Sequence, residues 1–238
     1  MPRYQELRRR VSFAELLARA DLAAESSLYV LDDFDPDGVI VFSDILTVLE
    51  ALGASVAYEP ALTVRADLDR LAPAPDEAHL APCHEALAAL AGALEKRKAL
   101  IGFAGAPFTL FRYLAGNPED ARATMLRDPR GSERAIDTIA RAVAFHLRRQ
   151  AEAGADVLQI FDSHAGELSP RQYEHFALAP LLNVVKDLRG LGRPIIVFNR
   201  GRHHLDFKDR LPDCVLSVDW TVPLERIDAP AALAVQGN

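Results

Sequence analysis

The stretch Val157-Leu158-Gln159-Ile160-Phe161, followed directly by Asp162-Ser163-His164, decides the fold class of this 238-residue chain. A nearly continuous apolar run of this length is typical of a strand that is buried on both faces, as in a parallel sheet. Five more runs of the same kind occur along the chain: Val39–Phe42, Ala99–Phe103, Pro194–Phe198, Val215–Val218 and Leu233–Gln236. Together they predict a parallel α/β architecture.

The segments between these runs are rich in helix-forming residues. Pro82–Lys98 and Arg134–Ala153 have the apolar spacing of helices and are predicted to be helical. Ser55–Tyr58 is predicted to be a short excursion outside the main sheet, and the proline-containing stretch Pro60–Asp76 to be a surface loop. No second domain is apparent, so we expect one domain over residues 1–238.

Two sheet topologies compete, an open doubly wound sheet and a barrel. No glycine-rich phosphate-binding loop follows any of the predicted strands, which argues against an open nucleotide-binding sheet. Polar residues directly follow four strands, and a barrel builds its active site from the carboxyl ends of many strands. These residues are Ser43-Asp44, Asp162-Ser163-His164, Asn199-Arg200 and Asp219-Trp220. The sequence therefore favours a barrel, although it supplies six strands where a closed barrel of this kind has eight.

Composition and charge limit the partners of the protein. The formal net charge is −7 at pH 7, and a field of that sign repels nucleic acid and anionic membranes. No apolar run is long enough to span a membrane, and the N-terminus lacks the apolar segment of a signal peptide. The cysteines Cys83 and Cys214 form no CxxC pair. These features predict a cytoplasmic protein.

Five motifs, in one order along the chain, resemble those of a known family. They are Phe42–Leu46 with Ala51–Gly53, Ile101–Leu110, Gln159–Gly166 with Leu168–Pro170, Val218–Thr221 and Val235–Asn238. They are similar to the FSDIL…ALG, IGFAGAPWTL, QLFDSWAG.LSP, LDWT and LQGN segments of the uroporphyrinogen decarboxylases. Phe108 stands where that family usually has tryptophan. The chain is therefore identified as a member of the uroporphyrinogen decarboxylase family.

The resemblance implies a (β/α)8 TIM barrel and an enzyme of porphyrin and haem biosynthesis. Members of the family remove carbon dioxide from the four acetate side chains of uroporphyrinogen III and so produce coproporphyrinogen III. The resemblance further implies a homodimer with facing clefts, a uroporphyrinogen substrate, and neither a metal nor an organic cofactor.

Four residues match substrate-site residues of the family. Asp44 matches the catalytic carboxylate that faces the pyrrole N–H groups at the centre of the macrocycle. Tyr113 and Ser163 match residues that contact side-arm carboxylates, and Phe103 matches part of the apolar wall. Each residue type also occurs in ordinary structural positions: a cap aspartate, a half-buried helix tyrosine, a turn serine and a core phenylalanine.

The chain departs from the family pattern at both ends. Met1–Arg8 aligns with the tail of the family segment MRQAGRYLPEY, and the chain stops at Gln236–Asn238, before the family's last strand. We therefore expect a barrel that lacks the first and last strands, together with two arginines and a histidine. A gene fragment, a decayed copy or a retained partial barrel would each fit. Two interpretations of one cluster after a strand stay open, replacement of the missing positive charge or a solvated loop: Arg200, Arg202, His203 and His204.

Other functions remain open from the residues alone. One is a non-catalytic family member that binds porphyrinogen or a partner subunit. Another is a methyltransferase of the same superfamily with a zinc site, but neither Cys83 nor Cys214 lies at the carboxyl end of a strand. His203 and His204, beside Asp206, are adjacent in sequence and fit a solvated loop better than a metal site. Ser163 lacks the GxSxG context of a hydrolase nucleophile.

Overall fold

Six parallel strands form the main sheet, and they follow one another in the sheet as they do along the chain. The computed structural model describes residues 1–201, 210–211, 213–223, 227 and 234–237. Its strands are β1 (Gly38–Ile40), β2 (Ser55–Ala57), β3 (Thr63–Arg65), β4 (Ala99–Gly105), β5 (Val157–Asp162), β6 (Ile195–Asn199), β7 (Val215–Val218) and β8 (Val235–Gln236). The main sheet has the order β1-β4-β5-β6-β7-β8, and every neighbouring pair in it is parallel.

This order identifies the architecture. A doubly wound sheet reverses its strand order at a switch point, whereas a barrel adds each new strand beside the previous one. The sheet here shows no reversal, which confirms the predicted α/β barrel type in a partial form. The six runs predicted from sequence each overlap a strand of this sheet, although Leu233, at the start of the last run, lies outside the described residues.

Helices connect the strands and cover one face of the sheet. They are α1 (Pro2–Arg8), α2 (Phe13–Ala18), α3 (Ala20–Phe34), α4 (Thr47–Ala51), α5 (Glu77–Leu94), α6 (Pro107–Leu114), α7 (Pro118–Arg127), α8 (Pro129–Glu152), α9 (Pro170–Gln172) and α10 (Ala179–Leu188). A π-helical segment, Tyr173–Leu178, joins α9 to α10. None of the helices in the described ranges has both the length and the apolar character needed to cross a bilayer.

The two predicted helices exist, but both begin earlier than predicted. Helix α5 starts after Asp76, whose carboxylate accepts a hydrogen bond from Ala78 N at 3.0 Å, and Pro82 lies inside the helix. Helix α8 starts after Asp128, whose carboxylate accepts from Gly131 N at 2.9 Å. Capping side chains therefore decide where these helices begin, since they satisfy the free N–H groups of the first turn.

A separate hairpin follows α4. Strands β2 and β3 pair antiparallel, with Val56 opposite Val64, and they do not join the main sheet. The predicted excursion at Ser55–Tyr58 is confirmed. The prediction of a loop over Pro60–Asp76 was wrong in part, because Thr63–Arg65 supplies the second strand and Leu68–Arg70 forms a 3₁₀ turn. Cross-strand packing of the two valines outweighs the local turn signal of the prolines.

The two faces of the main sheet differ in burial. Residues that face the helices are fully buried, as Leu158 and Ile160 on β5 illustrate. Residues of opposite phase are partly exposed on the inner face, and Ile40 keeps 40% of its surface in solvent. The strands are thus not all buried on both faces, as the apolar runs had suggested, because the six described strands form an open sheet.

A glutamine from α8 completes the hydrogen bonding of β4. Gln150 Oε1 accepts from Phe103 N at 2.7 Å, and Gln150 Nε2 donates to Phe103 O at 2.8 Å. Only glycine fits at the neighbouring position 102, since a Cβ there would lie 2.5 Å from Gln150 Oε1. The fully buried amide therefore fixes the backbone of Phe103.

Replacing Gln150 with leucine should destabilise the protein. The change keeps the side-chain volume but leaves the main-chain N–H and C=O groups of Phe103 without this partner, which should lower the free energy of unfolding by about 2–4 kcal/mol. Urea denaturation measures the loss. Arg149→Ala, which removes a surface ion pair on the same helix, should change it by less than about 1 kcal/mol. Equal losses in the two variants would contradict the assignment.

Candidate active site

The turn after β1 places Asp44 at the carboxyl end of the sheet. Ile45 packs against the end of β4, where a Cβ added at Gly105 would lie only 3.2 Å from Ile45 Cβ. The carboxylate of Asp44 accepts a hydrogen bond from Leu46 N at 2.7 Å, and its carbonyl accepts one from Thr47 Oγ1 at 2.9 Å. Asp44 therefore caps its own turn and stays partly exposed.

A chain of polar side chains surrounds this carboxylate. Burial raises the pKa of Asp44, and the negative charge of Glu50 raises it further, whereas hydrogen bonds from Leu46 N and the Tyr58 hydroxyl oppose the shift. Tyr58 Oη donates to Glu50 Oε2 at 3.3 Å, and His79 Nε2 lies 3.5 Å from the same oxygen. Burial and the two carboxylates raise the pKa of Tyr58, so it remains a hydroxyl donor.

Three phenylalanine rings line the inner face beside this turn. The rings of Phe103 and Phe161 meet edge to face with centroids 5.8 Å apart, and those of Phe161 and Phe198 with centroids 6.0 Å apart. Phe161 lies opposite Phe198 in the register, and Phe103 lies two residues before Gly105, the partner of Phe161 on β4, so the three rings lie on the same face of neighbouring strands. The row is a partly exposed apolar wall suited to a flat, aromatic-sized surface.

Tyr113 stands across the strand end in a second polar group. Its ring packs edge to face against His164 at 5.3 Å between centroids. His164 Nδ1 lies 2.7 Å from Glu167 Oε1, and Arg112 Nε donates to Glu167 Oε2 at 2.9 Å. One carboxylate thus holds both a histidine and a largely buried arginine next to the tyrosine.

Ser163 lies in the turn directly beyond β5. Its neighbours are anchored to α6, because Thr109 Oγ1 donates to Asp162 Oδ1 at 3.0 Å and accepts from His164 N at 3.3 Å. The Ser163 hydroxyl makes no hydrogen bond with any described part of the chain, and the residue is partly exposed. It can therefore bind a ligand without losing a hydrogen bond to any described residue.

A buried aspartate organises the far side of the sheet end. Asp219 accepts from Gly201 N at 2.6 Å and from Thr221 N at 2.7 Å. Burial raises its pKa, but these bonds and the nearby charge of Arg200 lower it overall. The guanidinium of Arg200 in turn lies over the exposed ring of Trp220, 5.1 Å from the ring centre.

The predicted site residues thus share the carboxyl edge of the sheet but not one contact network. Phe103 belongs to the aromatic wall, and Tyr113 and Ser163 are linked through His164. Among the described residues, no hydrogen bond or ring contact joins Asp44 to the other three. Several other residues considered from sequence lie outside the described residues: Arg202, His203, His204 and Asp206.

Sequence reasoning missed the ion pairs that hold these residues. Arg112 and Glu167 lie far apart in sequence and follow no spacing rule, so only the fold brings them together. His164 was visible as a polar residue after a strand, yet its partner Glu167 was not singled out. Glu50, Tyr58 and His79 carry no motif: Glu50 lies on α4, Tyr58 directly follows β2 of the hairpin, and His79 lies on α5.

The two cysteines do not resemble a metal-thiolate site. Cys83 lies within α5 and Cys214 precedes β7, and both are buried and free. Burial raises the pKa of each thiol to about 11, which disfavours the thiolate that binds metals. Within the described ranges, no three side chains of the histidine, cysteine or acidic types are grouped to hold a metal ion.

Known proteins resemble this chain over its whole length. The family model described as uroporphyrinogen decarboxylase matches residues 1–238. Proteins named uroporphyrinogen decarboxylase from Mesorhizobium japonicum and Syntrophotalea carbinolica are each 36% identical to it, over all of this chain and 74% of their own length. The corresponding protein from Myxococcus xanthus is 34% identical over 73% of its length.

Solved structures support the fold alone. A methyltransferase from Methanosarcina mazei superposes with a TM-score of 0.71 at 16% identity, covering 94% of this chain and 77% of the other. A B12-independent methionine synthase from Shewanella superposes with a TM-score of 0.63 at 12% identity, over 96% and 72% respectively. At such identities the likeness extends to the α/β barrel framework and carries no argument about the reaction.

The pKa of Asp44 should respond in opposite directions to two nearby substitutions. Tyr58→Phe removes a hydroxyl donor and should raise the pKa further, whereas Glu50→Gln removes a like charge and should lower it. Carbon-13 NMR of the aspartate carboxyl groups, with Asp44→Asn to assign the signal, measures both shifts. Tyr113→Phe is the matched control and should leave the signal unchanged. Shifts of the same sign in both variants would show that the Tyr58 chain does not act on Asp44.

Proposed function

Because the chain belongs to the uroporphyrinogen decarboxylase family, we propose that it removes carbon dioxide from the four acetate side chains of uroporphyrinogen III. The product is coproporphyrinogen III, an intermediate of porphyrin and haem biosynthesis, and the enzyme class is carboxy-lyase. The three relatives described above that carry this name match the whole chain at 34–36% identity. The observation that carries the proposal is the Asp44 carboxylate, partly buried at a strand end beside an apolar aromatic wall.

The reaction needs a sink for electrons. When the bond between an acetate methylene and its carboxylate breaks, carbon dioxide leaves and an electron pair remains on the methylene carbon. A pyrrole already protonated on its ring carbon accepts that pair by conjugation. Protonation of the methylene carbon and loss of the ring proton then restore the pyrrole, now with a methyl group. The enzyme must therefore stabilise a cationic macrocycle.

Asp44 fits that need in its position and its charge. An ionised carboxylate attracts a cationic macrocycle strongly where water is largely excluded. The four pyrrole N–H groups would give it hydrogen-bond donors, while the phenylalanine row would cover the apolar ring edges. Tyr113 and Ser163, at the same edge, would bind side-arm carboxylates through their hydroxyl groups.

A second function is favoured by the charges at the site. Arg112 is bound by Glu167, and Arg200 lies beside Asp219, so these two cations among the described residues already have acidic neighbours. A substrate with eight carboxylates needs compensating positive charge. A family member that binds porphyrinogen without converting it, alone or with a partner subunit, is the resulting alternative. Tight porphyrin binding without carbon dioxide release would support this alternative.

Cytoplasmic location and a homodimer are part of the same proposal. Both described cysteines are free, which fits a reducing compartment. Pairing of two copies is an expectation from the family resemblance, and light scattering after size-exclusion chromatography tests it. Neither a metal nor an organic cofactor is invoked in the proposed reaction.

Replacing Asp44 with asparagine should abolish most of the activity. The change keeps the shape of the side chain but removes the charge that faces the cation, so kcat/KM should fall by at least about 100-fold. Chromatography of the products formed from uroporphyrinogen III under reducing conditions measures the loss. Asp37→Asn, an exposed aspartate just before β1, is the matched control and should retain full activity. An Asp44→Asn enzyme within threefold of the original would remove Asp44 from the mechanism.

A further inference from the structure

A buried polar pair lies on the helix-facing side of the strand ends, behind the proposed site. Asp162 and Asn199 are register partners on β5 and β6, and each is fully buried. Asp162 Oδ1 accepts from Thr109, but Asp162 Oδ2 and both amide atoms of Asn199 have no partner within the described part of the chain. Register partners on adjacent strands lie about 5 Å apart with side chains on one face, so these unpartnered atoms are neighbours.

Among the residues that the structure describes, no charged side chain compensates a charge on Asp162. The groups that face it are Thr109 from α6 and Asn199 from β6, while β4 ends beside it at Gly105 and Ala106; none of these side chains ionises. Burying an ionised carboxylate without a cation is unfavourable by several kcal/mol. Burial therefore raises the pKa of Asp162 to about 7, although the Thr109 bond opposes the shift.

A protonated Asp162 would give its unpartnered oxygen a hydrogen to donate. The carbonyl oxygen of a protonated carboxyl still accepts from Thr109, while its O–H group becomes a donor directed toward the Asn199 amide, directly or through one water. Thr109 links Asp162 to the next turn, because its hydroxyl also accepts a hydrogen bond from His164 N at 3.3 Å. Both residues that flank Ser163 are thus tied to one threonine.

We propose that Asp162 is an uncharged carboxylic acid in the folded protein below about pH 7 and a positioning residue that holds the Ser163 turn through Thr109. Its role rests on the proposed function only where activity is measured. The charge state of Asp162 is a property of the fold and can be tested without any substrate.

The first experiment compares unfolding of the wild-type chain and Asp162→Asn between pH 4 and pH 8. Below its folded pKa the native state holds a proton that the unfolded state has released, so the wild type loses stability as pH rises through that range. The ratio of the wild-type unfolding constant to that of the variant should increase about tenfold per pH unit between about pH 4 and 7, and level off above. A flat ratio would show that Asp162 is ionised when folded and would overturn the proposal.

Asp156→Asn is the matched control, since Asp156 directly precedes the same strand that Asp162 ends. Lys96 lies 3.0 Å from Asp156, and the pKa of Asp156 is lowered, with burial opposed by hydrogen bonds from Leu100 N and Lys96. The ratio of the wild-type unfolding constant to that of Asp156→Asn should therefore stay flat between pH 4 and pH 8. If Asp162→Asn does not fold, carbon-13 NMR of the wild type decides instead: one aspartate carboxyl signal other than that of Asp44 must keep its protonated position at pH 6.

The second experiment measures turnover. Asp162→Asn keeps an acceptor for Thr109 and a donor for Asn199, so kcat should remain within about threefold of the wild type, whereas Asp162→Ala should lose at least about tenfold. Thr109→Ser should retain activity. Thr109→Val should lose as much activity as Asp162→Ala. A loss in Asp162→Asn as large as in Asp162→Ala would mean that the charge of Asp162 is used. If the wild-type chain shows no turnover, the proposed function fails while the unfolding ratio still decides the state of Asp162.

Discussion

The register of β4, β5 and β6 determines where the aromatic wall and the buried polar pair behind it lie. Phe161 pairs with Gly105 on one side and Phe198 on the other, and the next residue, Asp162, pairs with Asn199. Side chains alternate between the two faces of the sheet. A shift of β5 by one residue would therefore bring Asp162 to the open face and bury the ring of Phe161 against the helices. One hydrogen-bond register thus produces both the aromatic wall and the polar pair behind it.

The same constraint shapes the electrostatics. Three of the acids near the strand ends are held in different ways: Asp44 accepts from its own turn, Glu167 is paired with Arg112, and Asp162 meets only neutral groups among the described residues. The chain as a whole carries −7. A field of that sign opposes the approach of an anionic substrate, but it favours a cation that forms after the substrate is bound. Binding and chemistry therefore place opposite demands on this surface.

The strands could be predicted from sequence because an apolar run with a polar end depends only on neighbouring residues. The helix starts could not, since Asp76 and Asp128 act as caps only in the folded backbone. Among the site residues, motif resemblance located Asp44, Tyr113, Ser163 and Phe103 at one sheet edge, and their roles remain predictions. The contacts that tune them, such as Tyr58 with Glu50, join residues whose proximity depends on the hairpin and is invisible to periodicity.

The order of the strands has a consequence for how the chain is made. Each strand of the main sheet pairs with the strand that precedes it in that sheet, from β1 through to β8. During synthesis each of the described strands after β1 therefore meets an edge of the sheet that has already left the ribosome. Chains are synthesised from the N-terminus at about 5–20 residues per second, and they fold as they emerge. This strand order therefore allows the sheet to form one strand at a time during translation.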